Sequence, residues 1–181
     1  MAKAKIKGLD VAIDEIFNDY KKAIKEAAKE ATEKAKEDLY SNAVSCLVAY
    51  YEDYDPTSYN RTYSLINCFV PYADEVKESS AGFICRAGVE FDPNKIEGTY
   101  NGSEIYSPTD GEWIISNFLA GIHPRTNGSR EVGGGNYEYE VKYGSFVPAE
   151  EMQQYIDRYY YTFDRNYRRA IGKQVLRAIR K

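Results

Sequence analysis

The opening 52 residues restrict the fold of this chain more than any other stretch, because apolar side chains return there at every third or fourth position. Leu9, Ile13, Ile16, Phe17, Tyr20, Ile24, Ala27, Ala31, Ala35, Leu39, Ala43, Cys46 and Tyr50 form one stripe, the period of a helix that buries one face. Between them, "KKAIKEAAKEATEKAKED" sets Lys and Glu at i, i+4 spacings, which supports a helix on its solvated sides. Asp10 can cap the start, or Gly8 can end the lead-in. A helix of about 40 residues reaches about 60 Å at 1.5 Å per residue. That exceeds the width of a compact domain built from 181 residues. The middle of the stripe is alanine, so the helix is shallow there and needs a close neighbour. A helix that outruns its own domain implies partner chains, unless it breaks near Ser41–Asn42.

Asp55-Pro56 ends this helix, since the residue before proline is pushed out of the α region. "SYNRTYSLINC" then reads as a short helix, capped by Ser58, with Tyr59, Tyr63 and Ile66 on one face. Two strands follow: "CFVPYADEV" at 68–76, where Pro71 argues for an edge, and "GFICRAGVEF" at 82–91. "KESS" between them has the length of a hairpin turn. Residues 92–111 read as a surface loop. "DGEWIISNFLAGIHP" reads as a short helix capped by Asp110, burying Trp113, Ile114, Phe118 and Leu119, and stopped by Gly121 before Pro124. The Gly- and Asn-rich loop from Arg125 leads into "YEYEVKYG", a third strand by alternation. Pro148 suits the first position of a final helix, with Glu150 and Glu151 in its first turn. Met152, Tyr155, Ile156, Tyr159, Phe163, Tyr167, Ala170, Ile171 and Leu176 give that helix its apolar stripe. The expected class is α+β: a long N-terminal helix and a long C-terminal helix packed around a small antiparallel sheet, with a short mid-chain helix. One domain is expected over 1–181, with the long helix at 1–52, an elbow at 54–67, sheet, loops and short helix at 68–147, and the C-terminal helix at 148–181.

Charge is distributed unevenly. Residues 158–181 hold eight Lys or Arg and one acid, +7, which leaves −11 for the rest of a chain whose net charge is −4. An acidic body with a basic C-terminal helix can associate head to tail, or meet a nucleic acid. No apolar run approaches the roughly 18 residues of a membrane helix. "MAKAKIKGLD" is basic without an apolar core behind it, so no signal peptide is expected. The expected setting is a cytoplasm, or a particle assembled in one. Cys46, Cys68 and Cys85 are an odd number at wide spacings, read as free buried thiols.

Reagents for catalysis are scarce. The one histidine, His123, sits between Ile122 and Pro124 and reads as a capping or packing residue. Neither metal-ligand spacing nor a phosphate-binding loop is present, since "VGGGNY" lacks the following Lys-Ser or Lys-Thr. No enzyme, cofactor or metal is therefore expected. Tyrosine stands out at 18 residues. It supplies apolar area with a polar tip and is enriched in interfaces. Carbohydrate stacking would want more than the one tryptophan, and stacking on single-stranded nucleic acid needs interleaved basic residues, found only in "DRYYYTFDRNYRR".

The elbow "YDPTSYNRTYSLIN" reads as a fixing device, with Arg61 able to bond acceptors at the helix end. Its pattern, Tyr54, Pro56, Tyr59, Arg61, Thr62 and Leu65, resembles the signature of the small neck and tail-completion (head–tail joining) proteins of long-tailed bacteriophages. The Gly121-Ile122-His123 element after a mid-chain helix and the basic final helix are similar to that family too. The resemblance implies a structural virion subunit that forms a sixfold or twelvefold ring around the DNA passage. It would touch copies of itself and neighbouring connector, portal or tail-tube proteins. A ring needs a heterologous interface that closes, which the acidic body and basic helix can supply. The alternative is a nucleic-acid-binding module whose contact face is Arg158, Arg165, Arg168, Arg169, Lys173 and Arg177. A glycan hydrolase using Glu52, Asp53 and Asp55 is a third reading.

Overall fold

A computed structural model describes residues 9–53, 64–80, 82–96, 110–125, 140–143 and 145–179. Its elements in chain order are α1 (Leu9–Glu52), a 3-10 turn (Ser64–Cys68), β1 (Phe69–Ala73), β2 (Lys77–Ser79), β3 (Gly82–Ile84) and β4 (Ala87–Phe91). A second 3-10 turn (Pro93–Lys95), α2 (Asp110–Leu119), β5 (Ile122–Arg125), β6 (Glu140–Tyr143) and α3 (Pro148–Ile179) complete it. The protein is thus α+β, with a long helix at each end, short antiparallel strands and a short helix between. α1 runs 44 residues without a break at Ser41–Asn42, about 66 Å at 1.5 Å per residue.

The strands depart from the two expected. Each of those divides, so that β1 pairs with β4 and β2 with β3. "KESS" is not the turn: Lys77–Ser79 is strand, with Ser79 opposite Gly82, so the reversal is two residues long. "IHPR", expected to trail from a helix end, is β5, antiparallel to β6 with His123 opposite Lys142. Pro124 is tolerated because β5 pairs with β6 alone among the described strands.

The chain groups into two compact units, Met1–Ala35 with Ala73–Ala87 and Tyr160–Lys181, and Lys36–Tyr72 with Gly88–Tyr159. In the first, the interior is made of small side chains. Ala27, Ala28, Ala31 and Ala35 of α1 and Ala170 of α3 are buried, which permits close backbone approach. Thr32 is buried beside them, and its hydroxyl donates to the Ala28 carbonyl at 2.7 Å, so burial leaves no polar atom of it stranded. Lys173 reaches Glu30 at 2.6 Å and Lys21 reaches Glu78 at 2.8 Å.

The second unit has the larger core. Ala43, Cys46, Leu47 and Tyr50 of α1 meet Leu65, Cys68, Phe69, Ile115 and Phe118. Phe118 is its hub: fully buried, with Tyr50 edge-on at 5.3 Å and Phe69 tilted at 5.8 Å. Phe91 stands edge-on to Phe69 at 5.4 Å. Such edge-to-face pairs add to the area they bury. Tyr159 donates to the Asp38 carboxylate at 2.6 Å.

Three expected burial patterns are corrected. On α2 Gly111, Ile115, Asn117 and Phe118 are buried and Ile114 and Leu119 half-buried, while the side chain of Trp113 lies outside the described ones. On α3, Ile156 and Leu176 face solvent at 50% and 56% exposure, off the stripe carried by Tyr159 and Ala170. On α1, Ile13, Ile16, Phe17 and Tyr20 are exposed too. Each segment is a helix as its period predicts, but the face that finds cover is narrower than the apolar one.

Candidate assembly surface

The C-terminal end of α1 is fastened by Tyr50 in its last turn and by Asp53 just beyond it. The Tyr50 hydroxyl donates to the Ile122 carbonyl at 2.8 Å, a contact 72 residues away in sequence. The Asp53 carboxylate accepts from the Ser145 amide at 3.0 Å and from the Ser145 hydroxyl. Between these anchors lies Gly121, whose φ of +65° ends α2 in the left-handed region, as glycine does at a helix C-terminus. Its amide donates to Phe118 O at 3.1 Å. A methyl at Gly121 would run into the Phe146 carbonyl oxygen.

Of the elbow residues, Leu65 is buried in the core of this unit. Tyr54, Pro56, Tyr59, Arg61 and Thr62 lie outside the described residues, as does the cap expected at Ser58. Gly121 and Ile122 come together with Tyr50 as described, and His123 follows in β5. Tyr50, Asp53 and Ser145 were missed as a set by sequence reasoning. Asp53 stands in an acidic run at a helix end, and nothing local points to a serine 92 residues on.

The outer surfaces differ in chemistry. Near its start, α1 exposes Ile13 (50%), Ile16 (70%), Phe17 (72%) and Tyr20 (54%), beside the exposed acids Asp14, Glu15 and Asp19. On α3, Arg158, Arg165, Arg168, Arg169, Lys173 and Arg177 are all exposed. Several already have partners: Arg168 pairs with Asp164 at 2.8 Å, Lys173 with Glu30, and Arg158 donates to Gln154 at 3.0 Å. The hydrogen bond from Lys173, and then its charge, hold the Glu30 carboxyl below its ordinary range.

Two of the three thiols are unsuited to nucleophilic work. Burial pushes Cys46 up, and burial with the nearby Asp92 pushes Cys68 up to about 11, so both are neutral at physiological pH. All three cysteines are free, with Cys85 half-buried. Among the described residues, no group of three His, Cys, Asp or Glu could hold a metal ion, and no helix is long and apolar enough to cross a membrane. Asp53, proposed as an acid in the glycan reading, is engaged with Ser145. Comparison with protein families, with curated proteins and with solved structures gives no match.

Proposed function

We propose that this chain is a structural subunit of a phage virion neck or tail, working by assembly of identical copies into a ring around the DNA passage. The observation that carries the reading is the face of Ile13, Ile16, Phe17 and Tyr20, 50–72% exposed in the single chain. Four large apolar side chains grouped on one helix face are a contact surface awaiting cover. The elbow signature and the Gly121-Ile122-His123 element support the choice of setting. The fastening of α1 by hydrogen bonds from Tyr50 and to Asp53 suits a part that works by holding its shape. The basic residues of α3 do not favour a dedicated nucleic-acid module, because Arg168 and Lys173 are engaged by carboxylates of the same chain. Any meeting with DNA belongs to the lumen of the ring. Sedimentation velocity and negative-stain images of the purified chain, alone and with connector, portal or tail-tube proteins, test the proposal. Rings of uniform copy number are expected. A chain that stays monomeric alone and binds none of those proteins overturns it.

A further inference from the structure

We propose that copies of this chain join head to tail, the acid-flanked apolar face of α1 in one copy receiving a basic seam of α3 from the next. This rests on the assembly reading above and assigns its two surfaces. The first is Ile13, Ile16, Phe17 and Tyr20, spaced i, i+3, i+4 and i+7, so that they share one side of the helix. Residues 9–20 contain four acids and no base.

The second surface is the seam Tyr161, Arg165, Arg168, Gly172 and Leu176. Steps of four, three, four and four keep these on one side of α3, the spacing by which a helix presents a line of contacts to another helix. Tyr161 and Leu176 are 80% and 56% exposed, and the three between them are exposed as well. From 158 to 177 the helix carries six basic residues and one acid. The two surfaces therefore match in kind: apolar groups at both, acid on one, arginine on the other. Arg165 is suited to lie across Phe17 or Tyr20 and to bond Asp14, Glu15 or Asp19 in the same contact, while Arg168, paired with Asp164, adds its charge to the seam. The acidity of the α1 face also excludes a phosphate backbone as its occupant.

Gly172 supplies an independent observation. It lies inside α3, where glycine weakens a helix, and among the described residues no atom beyond its chain neighbours and the helix's own backbone stands within 4 Å of where its Cβ would be. Nothing among the described residues requires glycine there. A bare patch of backbone on the outside of a helix lets a second helix approach closely. The two surfaces are different, so each copy in a chain of contacts offers one of each, and a heterologous contact of this kind makes a ring where its rotation closes.

Charge reversal tests the contact. One variant carries D14K, E15K and D19K; the other carries R165E and R168E. Circular dichroism melts establish that both fold, since every altered side chain is exposed. In sedimentation velocity each variant alone is expected to be monomeric. Their equimolar mixture is expected to assemble again, because each reversed face then meets the opposite charge in the other variant. G172L is expected to melt higher than the wild type while weakening association at least about tenfold. Variants that assemble alone as the wild type does overturn the contact and leave the ring reading standing. A wild-type chain that sediments as a monomer also overturns it, and the ring then depends on neighbouring proteins. Assembly abolished by nuclease overturns it in favour of a nucleic-acid bridge.

Discussion

The two ends of α1 have the same apolar period and opposite fates. Near its C-terminus, Ala43, Cys46, Leu47 and Tyr50 are at most 9% exposed. Near its N-terminus the side chains are larger, yet Ile13, Ile16, Phe17 and Tyr20 are 50–72% exposed. What separates them lies elsewhere in the chain: Leu65, Cys68, Phe69, Ile115 and Phe118 return to the first set. A helical stripe identifies a face that gains by burial. It does not say whether the cover comes from the same molecule.

The sharpest way to break this comparison is to remove an aromatic from each setting. Phe118→Ala empties the hub of the buried end and is expected to cost about 3–5 kcal/mol of unfolding free energy in urea. Phe17→Ala removes a ring that is 72% exposed, and should stay within about 0.5 kcal/mol when the chain is dilute and monomeric. A Phe17→Ala loss that approached the first value would mean that the N-terminal face is already covered by the chain itself.

Alkaline titration examines the buried end alone. Cys68 belongs to its core, and its thiol is raised to about 11 by burial and by Asp92. In the unfolded chain the thiol ionises near pH 9, while in the folded chain it stays protonated. The unfolded state then binds fewer protons, so stability is whole below about pH 9 and falls as pH rises towards 11. At about 1.4 kcal/mol per pH unit the full loss is about 2–3 kcal/mol. Urea midpoints across that range should show the decline in the wild type. Cys68→Ala should flatten that part of the slope, whatever its own cost in packing; an equal slope in both rules out the thiol as the cause.

Helices were the legible part of this fold, and for a physical reason. α1 and α3 are long, so their apolar periods repeat many times, and Asp55-Pro56 and Pro148 mark their limits in the sequence. The strands are three to five residues long, too short for alternation to separate strand from turn. That is why Lys77–Ser79 looks like a turn, and β5 like the tail of a helix, in the sequence. The candidate surface was legible only in part. The charge poles and the apolar face of α1 can be read from residue types. Which apolar residues lack cover cannot, because Ile156 and Leu176 look like core in a helical projection. The anchors Tyr50–Ile122 and Asp53–Ser145 join residues 72 and 92 positions apart, a distance over which no local pattern reports.

Two glycines carry the comparison into backbone terms. Gly121 has a φ of +65° and the Phe146 carbonyl against the place a Cβ would take. Gly121→Ala should therefore cost about 1–3 kcal/mol, from an unfavourable backbone region and the displaced Phe146 carbonyl. Gly172 lies in ordinary helix with open space around it. Gly172→Ala should stabilise the monomer by about 0.5–1 kcal/mol. Thermal melts of the two variants should thus move in opposite directions. A loss of monomer stability in Gly172→Ala would show that the position is crowded within the chain, and would remove the reason for seeing a bare patch there.

The smallest effect belongs to the alanine-lined stretch between the two ends, where the fastening is ionic. Lys173 and Glu30 meet at 2.6 Å, but their side chains are 49% and 41% exposed. The short distance suggests a strong bond; the exposure decides its worth, since water and salt screen such a pair and ordering two long side chains opposes it. Lys173→Ala should cost no more than about 0.5 kcal/mol at neutral pH. The Glu30 carboxyl is held below its ordinary value of 4.5, chiefly by the Lys173 hydrogen bond. A depressed carboxylate contributes stability above its unfolded pKa and loses it as pH falls through the folded one. The gap between wild type and Lys173→Ala should accordingly be present near neutrality, close below pH 4.5, and shrink in high salt. A gap that survives both acid and salt would assign Lys173 to the packing of its aliphatic stem against the alanines instead of to its charge.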